Sequence, residues 1–271
     1  MLGQRIITAI LLLSALLLIV FFTDALLFSL FLSLVTLIGA WEWTKLAGIK
    51  NIIGRGLYCL GLMLVCVLAY LGLQNHIVAI LNLSLVFWLF ALFLICTYPR
   101  YNHHWNNFFV LGLIGFLVLI PCWFVLLNIR NNDDFAFNFL SLITLVAAAD
   151  VGAYFSGKKF GKHKLAELVS PNKTWEGVIG GLISCFLIAS ILYVLKSALQ
   201  AEAINWLLLL ILPLLVSSFS VIGDLFESML KRVRGLKDSG NILPGHGGIL
   251  DRIDGLVSTA PVYMLILVYF N

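Results

Sequence analysis

The first 41 residues read MLGQRIITAILLLSALLLIVFFTDALLFSLFLSLVTLIGAW, and they contain two apolar runs, 6–22 and 25–41, separated only by Thr23 and Asp24. An α-helix needs roughly 20 mainly apolar residues to cross the hydrocarbon core of a bilayer. The first run exceeds the ~7–15 apolar residues of a secretory signal, and no A-x-A cleavage pattern follows it. The stretch therefore predicts two membrane-spanning helices joined by a tight turn.

The rest of the chain has the same character. Of its 271 residues, 62% are hydrophobic and 11% are charged, and the mean hydropathy is +1.06. A soluble domain has about 25% charged residues, so this composition excludes a soluble globular protein. The predicted fold class is all-α: a polytopic integral membrane protein with about nine transmembrane helices in a single membrane domain, 1–271. The nine predicted spans are 6–22, 25–41, 56–73, 77–96, 108–127, 137–156, 175–195, 205–223 and 256–270.

The positive charges predict the orientation of these spans. With the N-terminus placed in the cytoplasm, fifteen of the 17 Lys and Arg residues fall on the cytoplasmic side, and only Arg130 and Lys196 lie outside. Cytoplasmic loops of membrane proteins carry such an excess of positive charge. Nine spans then place the C-terminal Asn271 outside the cell.

One helical stripe of polar residues follows the eighth span. Residues 223–255 read GDLFESMLKRVRGLKDSGNILPGHGGILDRIDG. Residues at i, i+3, i+4 and i+7 share one face of a helix. That spacing is shown by Asp224, Glu227, Ser228 and Lys231. The helix is predicted to end near Gly235, where a loop rich in Gly, Ser, Asn and Pro begins.

A second pair of carboxylates, Asp251 and Asp254, leads into the ninth span. Four carboxylates at the membrane boundary suit Mg²⁺, which binds through one or two carboxylates together with substrate phosphates. Alternatively, these acids pair with neighbouring bases on a solvated face. The turn PGHGG favours a binding site, because glycine lets a backbone approach a ligand closely.

The segment 150–177 reads DVGAYFSGKKFGKHKLAELVSPNKTWEG and predicts an anion site. Asp150 is an ionisable residue at membrane depth, which makes it a functional candidate. Ser170 and Pro171 resemble a helix N-cap and first position, which would place 172–174 in a first turn with free N–H groups. Lys173 would then stand beside a phosphate-binding helix start, although an ordinary positive-inside anchor explains it as well.

Two further features have structural interpretations. Trp41-Glu42-Trp43 is typical of an aromatic belt at the membrane interface. Gly177 and Gly181, four residues apart, indicate close packing between helices.

The polar residues resemble the phosphatidate cytidylyltransferase (CDP-diacylglycerol synthase) family. The C-terminal motif of that family runs Ser, two residues on to Lys-Arg, then Lys-Asp, Pro-x-His-Gly-Gly and Asp-Arg-x-Asp. Every place is filled here, by Ser228, Lys231-Arg232, Lys237-Asp238, Pro244, His246-Gly247-Gly248, Asp251-Arg252 and Asp254. The segments WEWTKLAG, DVGAYFSGKKFGK and SPNKTWEG look similar to the family as well, so the likeness reaches most of the chain.

The resemblance implies that CTP and phosphatidate react to give CDP-diacylglycerol and pyrophosphate in phospholipid biosynthesis. It implies Mg²⁺ as cofactor, with room for a second monovalent or divalent cation. The implied location is the inner (plasma) membrane of a bacterial-type cell, with the catalytic segments 150–177 and 224–255 at the cytoplasmic face. CTP, phosphatidate and membrane lipid are the expected partners, nucleic acid is not, and a homodimer is an expectation from the Gly-rich packing faces.

The resemblance and the helical spacing together give each polar residue a predicted role. The catalytic group comprises Asp224, Asp251, Lys173, His246 and Ser228. The predicted metal ligands are Asp224 and Asp251, supported by Glu227 and Asp254. The bases that would hold phosphates are Lys173, Lys231, Arg232, Lys237 and Arg252. The rest of the substrate site is predicted to comprise Asn172, as a hydrogen-bond donor, with Asp150, Asp238, Gly247 and Gly248.

His246 invites a role as general base. The nucleophile does not need one, because a phosphate monoester loses its second proton near pH ~6 and phosphatidate is therefore largely dianionic at neutral pH. We therefore favour His246 as a phosphate ligand in the glycine turn.

Two other functions fit parts of the sequence. A CTP-dependent lipid kinase would use a similar surface but would release CDP, and the complete motif argues against it. A secondary transporter would need charged or broken helices at mid-membrane, and the spans contain almost no such residues apart from Asp150.

Overall fold

The computed structural model describes residues 2–132, 134–200, 205–243, 245 and 247–270. Helices account for nearly all of them. The helices are α1 (Leu2–Phe22), α2 (Ala25–Ala47), α3 (Ile52–Gly72), α4 (Ile77–Thr97), α5 (Asn102–Trp105), α6 (Phe108–Arg130), α7 (Phe135–Phe160), α8 (Trp175–Gln200), α9 (Trp206–Val233) and α10 (Leu250–Phe270). A 3-10 turn, Gln74–His76, precedes α4, and two short strands, β1 (Lys164–Ala166) and β2 (Ser170–Thr174), separate α7 from α8.

Eight of the described helices are long and apolar enough to cross a membrane: α2, α3, α4, α6, α7, α8, α9 and α10. The prediction of an all-α polytopic membrane protein is thereby confirmed. The apolar part of α1 that the structure describes, Ile10–Phe22, is shorter than a span, so the first predicted span stays a prediction.

Several helices extend beyond the apolar runs that predicted them. The run 25–41 belongs to α2, which continues to Ala47, and the run 256–270 belongs to α10, which begins at Leu250. Backbone hydrogen bonding continues past the apolar window because a helix does not require apolar residues, and Glu, Lys, Arg and Leu in the extensions are good helix formers. The acidic residues that the sequence places at the membrane boundary lie in these extensions and are therefore part of regular helices.

The predicted tight turn between α1 and α2 is present. The Asp24 side chain accepts a hydrogen bond from the backbone N–H of Leu27 (2.8 Å), so it caps α2. At the other end, Gly48 adopts a left-handed conformation (φ +82°), and its N–H bonds to the carbonyls of Lys45 and Thr44. Both ends of α2 are therefore fixed.

Helix α6 lies at the centre of the bundle and contacts α2, α3, α4, α7 and α10. Its side chains Leu119, Phe124 and Val125 are almost completely buried. Large apolar side chains such as Leu60 and Leu64 of α3 face outward instead. Apolar side chains both in the interior and on the outer surface are expected where lipid replaces water as the solvent.

Helices α7 and α8 pack closely through glycines. A Cβ atom on Gly152 of α7 would lie 2.7 Å from the carbonyl oxygen of Gly180, and one on Gly181 would lie 2.6 Å from the carbonyl oxygen of Ala149. A Cβ on Gly177 would lie 3.0 Å from another α7 carbonyl. The packing role predicted for Gly177 and Gly181 is thus confirmed, and the contact brings the start of α8 against the end of α7.

The predicted N-cap at Ser170 is wrong. Ser170–Thr174 forms β2, which pairs antiparallel with β1, and the Lys164 ammonium donates to the Pro171 carbonyl (2.6 Å). Helix α8 begins only at Trp175, and the Thr174 hydroxyl oxygen accepts from the Gly177 N–H (3.1 Å) as its cap. Proline suits an edge strand as well as a first helical turn, and here the pairing with β1 decides.

Candidate active site

Asp224 joins the two segments that were predicted to form one site. One of its carboxylate oxygens, Oδ2, lies 2.6 Å from the Lys173 ammonium of β2. The other, Oδ1, accepts a hydrogen bond from the Ser228 hydroxyl one turn later on α9 (3.2 Å). The 150–177 and 224–255 segments therefore meet at this carboxylate, as the sequence predicted, although Lys173 reaches it from a strand and not from a helix start.

Four acids form what we call the carboxylate cluster: Asp150, Asp224, Glu227 and Asp254. Asp254 of α10 interacts electrostatically with Asp224 of α9 and Asp150 of α7. Asp150 accepts a hydrogen bond from the Ser220 hydroxyl of α9 (3.1 Å), which ties α7 to the site. Three helices, α7, α9 and α10, thus contribute acids to one region of the bundle.

Glu227 is the most enclosed member of the cluster. Only 5% of its side chain is exposed, and neither of its carboxylate oxygens accepts a hydrogen bond. The Lys231 ammonium lies 3.4 Å from Oε1, too far for a good ion-pair hydrogen bond. A buried carboxylate with free lone pairs is costly unless a cation or a donor serves it, so Glu227 is suited to a cationic ligand.

Asp251 contacts the α9–α10 loop (residues 234–249), and it shares the Lys231 ammonium with Glu227 of the cluster. Its Oδ1 accepts from the Lys231 ammonium at 2.7 Å. Its Oδ2 accepts from the Ser239 N–H (3.0 Å), the Ser239 hydroxyl (2.9 Å) and the Gly248 N–H (2.8 Å). Both oxygens are therefore occupied by groups of the protein itself, in contrast to those of Glu227.

The glycine turn closes on itself around Asp251. The Leu243 N–H bonds to the Gly247 carbonyl (2.9 Å), and Gly245 and Gly247 have φ values of +77° and +82°. A Cβ on Gly247 would lie 2.6 Å from Asp251 Oδ2. The sequence predicted that the glycines let this backbone approach a ligand closely. In the structure the backbone also lies close to the protein's own Asp251 carboxylate. His246 and Pro244 lie outside the described residues.

The remaining predicted residues lie at the surface of the chain. Arg232 is exposed, and its Nε donates to the Val169 carbonyl (3.2 Å), which links α9 to the turn of the hairpin. The others are also exposed to solvent: Asn172, Lys237, Asp238 and Arg252. Their roles toward phosphate stay predictions.

The belt interpretation of Trp41-Glu42-Trp43 is wrong for its last two residues. Trp43 is buried and donates its indole N–H to the Leu111 carbonyl (2.8 Å). Glu42 is completely buried, its Oε2 accepts a hydrogen bond from the Leu250 N–H, and the Ser239 hydroxyl lies 3.2 Å from the same oxygen. The sequence does contain a signal for Glu42, because an acid within an apolar span is a functional candidate by default.

These features define a class of protein: a polytopic helical membrane protein with a carboxylate-and-base site where its helices end. Comparison with known proteins makes the assignment specific. The model of the Cytidylyltransferase family matches residues 3–270, so the chain belongs to this family.

Curated relatives extend over the same length. A phosphatidate cytidylyltransferase of Pseudomonas aeruginosa is 43% identical over 267 residues, which cover 98% of this chain and 97% of the relative. One of Haemophilus influenzae is 38% identical over 280 residues, covering 97% of each chain, and one of Bacillus subtilis is 39% identical over 189 residues, covering 68% of each.

The family predicted from the C-terminal motif is thereby confirmed, as is nucleotidyl transfer as the class of reaction. Neither the lipid kinase nor the transporter is favoured by the comparisons.

Proposed function

We propose that the carboxylate cluster and its surrounding bases are where this chain transfers the cytidylyl group of CTP to phosphatidate, releasing pyrophosphate and leaving CDP-diacylglycerol in the membrane. The family and the names of the relatives support the reaction. The observation that carries the site is the 2.6 Å contact between Lys173 and Asp224, because it brings the basic segment and the acidic segment to one place.

The reaction needs little covalent chemistry from the protein. An oxygen of the phosphatidate phosphate forms a bond to the α-phosphorus of CTP, and the bond from that phosphorus to the bridging oxygen of the leaving pyrophosphate breaks. Catalysis is then mainly positioning and neutralisation of negative charge. Lys173 and Lys231 stand next to the cluster and are suited to this task. We propose that Arg232, Lys237 and Arg252 contribute to it.

The two substrates explain the position of the site. Phosphatidate offers its phosphate at the level of the lipid headgroups, whereas CTP is a soluble polyanion. They can meet only at a membrane surface, so we propose that the cluster lies at that boundary. His246, which the structure does not describe, stays a predicted phosphate ligand.

The donor set fits Mg²⁺. The cluster offers hard carboxylate oxygens, and Glu227 has two oxygens without a hydrogen bond. Among the described residues, no three acidic, His or Cys side chains gather closely enough to hold an ion alone. Mg²⁺ commonly binds through one or two carboxylates and completes its shell with water and substrate phosphates, so such a gathering is not required.

We propose that the metal binds through one or two of the carboxylates Asp224, Glu227 and Asp254 together with substrate phosphates, whose charge it would neutralise when bound. Asp251 was also predicted as a metal ligand. Since its oxygens are occupied by Lys231 and the α9–α10 loop, we propose that it orders that loop instead. A second cation and a homodimer stay predictions.

The distribution of Lys and Arg supports an orientation with the N-terminus and the cluster facing the cytoplasm and the C-terminus outside. In a bacterial cell this corresponds to the inner membrane, where CTP is available on the cytoplasmic side.

One experiment tests the reaction. Purified protein is incubated with phosphatidate, Mg²⁺ and CTP labelled in the α-phosphate. We expect labelled liponucleotide and free pyrophosphate, and no turnover when EDTA replaces Mg²⁺. Label recovered as CDP would instead indicate the kinase, for which diacylglycerol with γ-labelled CTP is the matched control reaction.

The same assay in sealed vesicles tests the orientation, because CTP does not cross a bilayer. Inverted vesicles should be active without detergent, whereas right-side-out vesicles should need it. The reverse pattern would overturn the proposed orientation.

A further inference from the structure

Glu42 lies outside both catalytic segments, yet its carboxylate reaches the α9–α10 loop. It stands on α2, nearly 200 residues before that loop in the chain, and its side chain is fully buried. We propose that Glu42 is a positioning residue for nucleotidyl transfer: it holds the α9–α10 loop and the start of α10, and through Ser239 it orients Asp251. The inference rests on the proposed function.

One carboxylate oxygen of Glu42 serves two elements of the site. Oε2 accepts from the Leu250 N–H at 2.9 Å and lies 3.2 Å from the Ser239 hydroxyl. Leu250 is the first residue of α10, so Glu42 supplies from another helix the negative charge that stabilises a helix N-terminus. Asp251 and Asp254 follow directly on that helix, so their placement depends on this contact.

Ser239 connects Glu42 with Asp251. Its hydroxyl lies 3.2 Å from Glu42 Oε2 and 2.9 Å from Asp251 Oδ2. A hydroxyl has one proton, so it can donate to only one of the two carboxylates at a time. The position of Ser239, and with it a hydrogen bond to Asp251, is therefore sensitive to the group at position 42.

The backbone of the loop lies directly on Glu42. A Cβ atom on Gly240 or on Gly248 would collide with the Glu42 carboxylate, so both positions admit only glycine while the carboxylate is in place. Arg234 adds a second attachment: its guanidinium donates to the Leu46 carbonyl (2.7 Å) and the Ala47 carbonyl (2.8 Å). The C-terminal end of α2 thus holds the loop at both of its ends.

Stability alone does not account for a carboxylate here. Glu42 Oε1 is buried without a hydrogen-bond partner, and a buried carboxylate that is not fully paired is unfavourable for folding. The contacts to Ser239 and Leu250 indicate that the acid serves to position the α9–α10 loop and the start of α10.

The test compares Glu42→Gln, Glu42→Ala and Ser239→Ala, with Trp43→Phe as the matched control. Trp43→Phe also removes one buried hydrogen bond of α2, but that bond leads to α6 and not to the loop. We expect Glu42→Ala to lower kcat by about 100-fold per folded molecule, as a misplacement of about 1 Å can do, with KM for CTP changed much less. Glu42→Gln, which keeps one acceptor, should retain more activity than Glu42→Ala.

The control should lower the melting temperature and leave kcat per folded molecule unchanged. In the double variant of Glu42→Gln and Ser239→Ala, the loss of kcat should be smaller than the product of the two single losses, because both act through one contact. If Glu42→Ala does not fold, Glu42→Gln and Ser239→Ala carry the test. Wild-type kcat in the two Glu42 variants, or multiplicative losses in the double variant, would overturn the inference. A wild-type protein without liponucleotide product would instead overturn the proposed function.

Discussion

Replacing Asp224 with Asn is expected to lower kcat by about a thousandfold, on the order of 4 kcal/mol in activation free energy, while the protein stays folded. Asp224 stands between the Lys173 ammonium (2.6 Å) and the Ser228 hydroxyl (3.2 Å), and it belongs to the group to which we assign the metal. Asn keeps the shape of the side chain and a hydrogen-bond acceptor for Ser228 but removes the charge. Turnover of labelled CTP into liponucleotide, divided by the amount of monodisperse folded protein, measures the effect.

The chain offers a closely matched control in Asp134→Asn. Asp134 also pairs with one lysine, Lys196, at 2.7 Å, and its side chain is 37% exposed, against 36% for Asp224. The hydrogen bond from Lys196 holds the pKa of Asp134 below its usual value, so this carboxylate is ionised at neutral pH. Asp134 precedes the first residue of α7, whereas Asp150 lies well inside that helix, and its loss should leave kcat unchanged. Equal kcat for wild type and Asp224→Asn would refute the assignment of Asp224.

Replacing Asp251 with Asn is expected to lower kcat by at least about 100-fold and, in addition, to loosen the α9–α10 loop. Asp251 accepts four hydrogen bonds, from Lys231, from Gly248 and twice from Ser239. An Asn amide must point its NH₂ group either at Lys231 or at the N–H donors of the loop. Donor then faces donor in either orientation, and part of the loop loses its anchor.

Hydrogen exchange distinguishes this effect from that of Asp224→Asn. Peptides that cover residues 236–250 should exchange faster in Asp251→Asn than in wild type, and at the wild-type rate in Asp224→Asn. If Asp251→Asn is inactive while its loop exchanges at the wild-type rate, Asp251 acts on the ion or the substrate, as the sequence alone had predicted.

Asp224 and Asp251 show how much of the site can be predicted from the sequence. Helical spacing predicted that Asp224, Ser228 and Lys231 share a face, and the structure confirms it through short-range contacts that depend only on the helix repeat. The sequence treats Asp224 and Asp251 as equivalent carboxylates. Their difference arises from Ser239 and Gly248, whose loop geometry no periodic pattern specifies.

The two errors have the same origin. Ser170-Pro171 fits a helix start and an edge strand equally well, and the pairing of 170–174 with Lys164–Ala166 decided in favour of the strand. Glu42 lies between two tryptophans, which is typical of an interfacial belt, and its partners Ser239 and Leu250 are about 200 residues away in the chain. In both cases tertiary contacts overrode a local preference.

The ion pair between Lys173 and Asp224 has a consequence for how the substrates load. The Lys173 ammonium and the Asp224 carboxylate lie 2.6 Å apart and neutralise each other. Lys173 is also assigned to a substrate phosphate, and Asp224 to a cation. A phosphate that takes Lys173 therefore releases Asp224 for a cation, and a cation that takes Asp224 releases Lys173 for a phosphate. Nucleotide and divalent ion then bind with positive thermodynamic linkage, so that each tightens the binding of the other by the same factor.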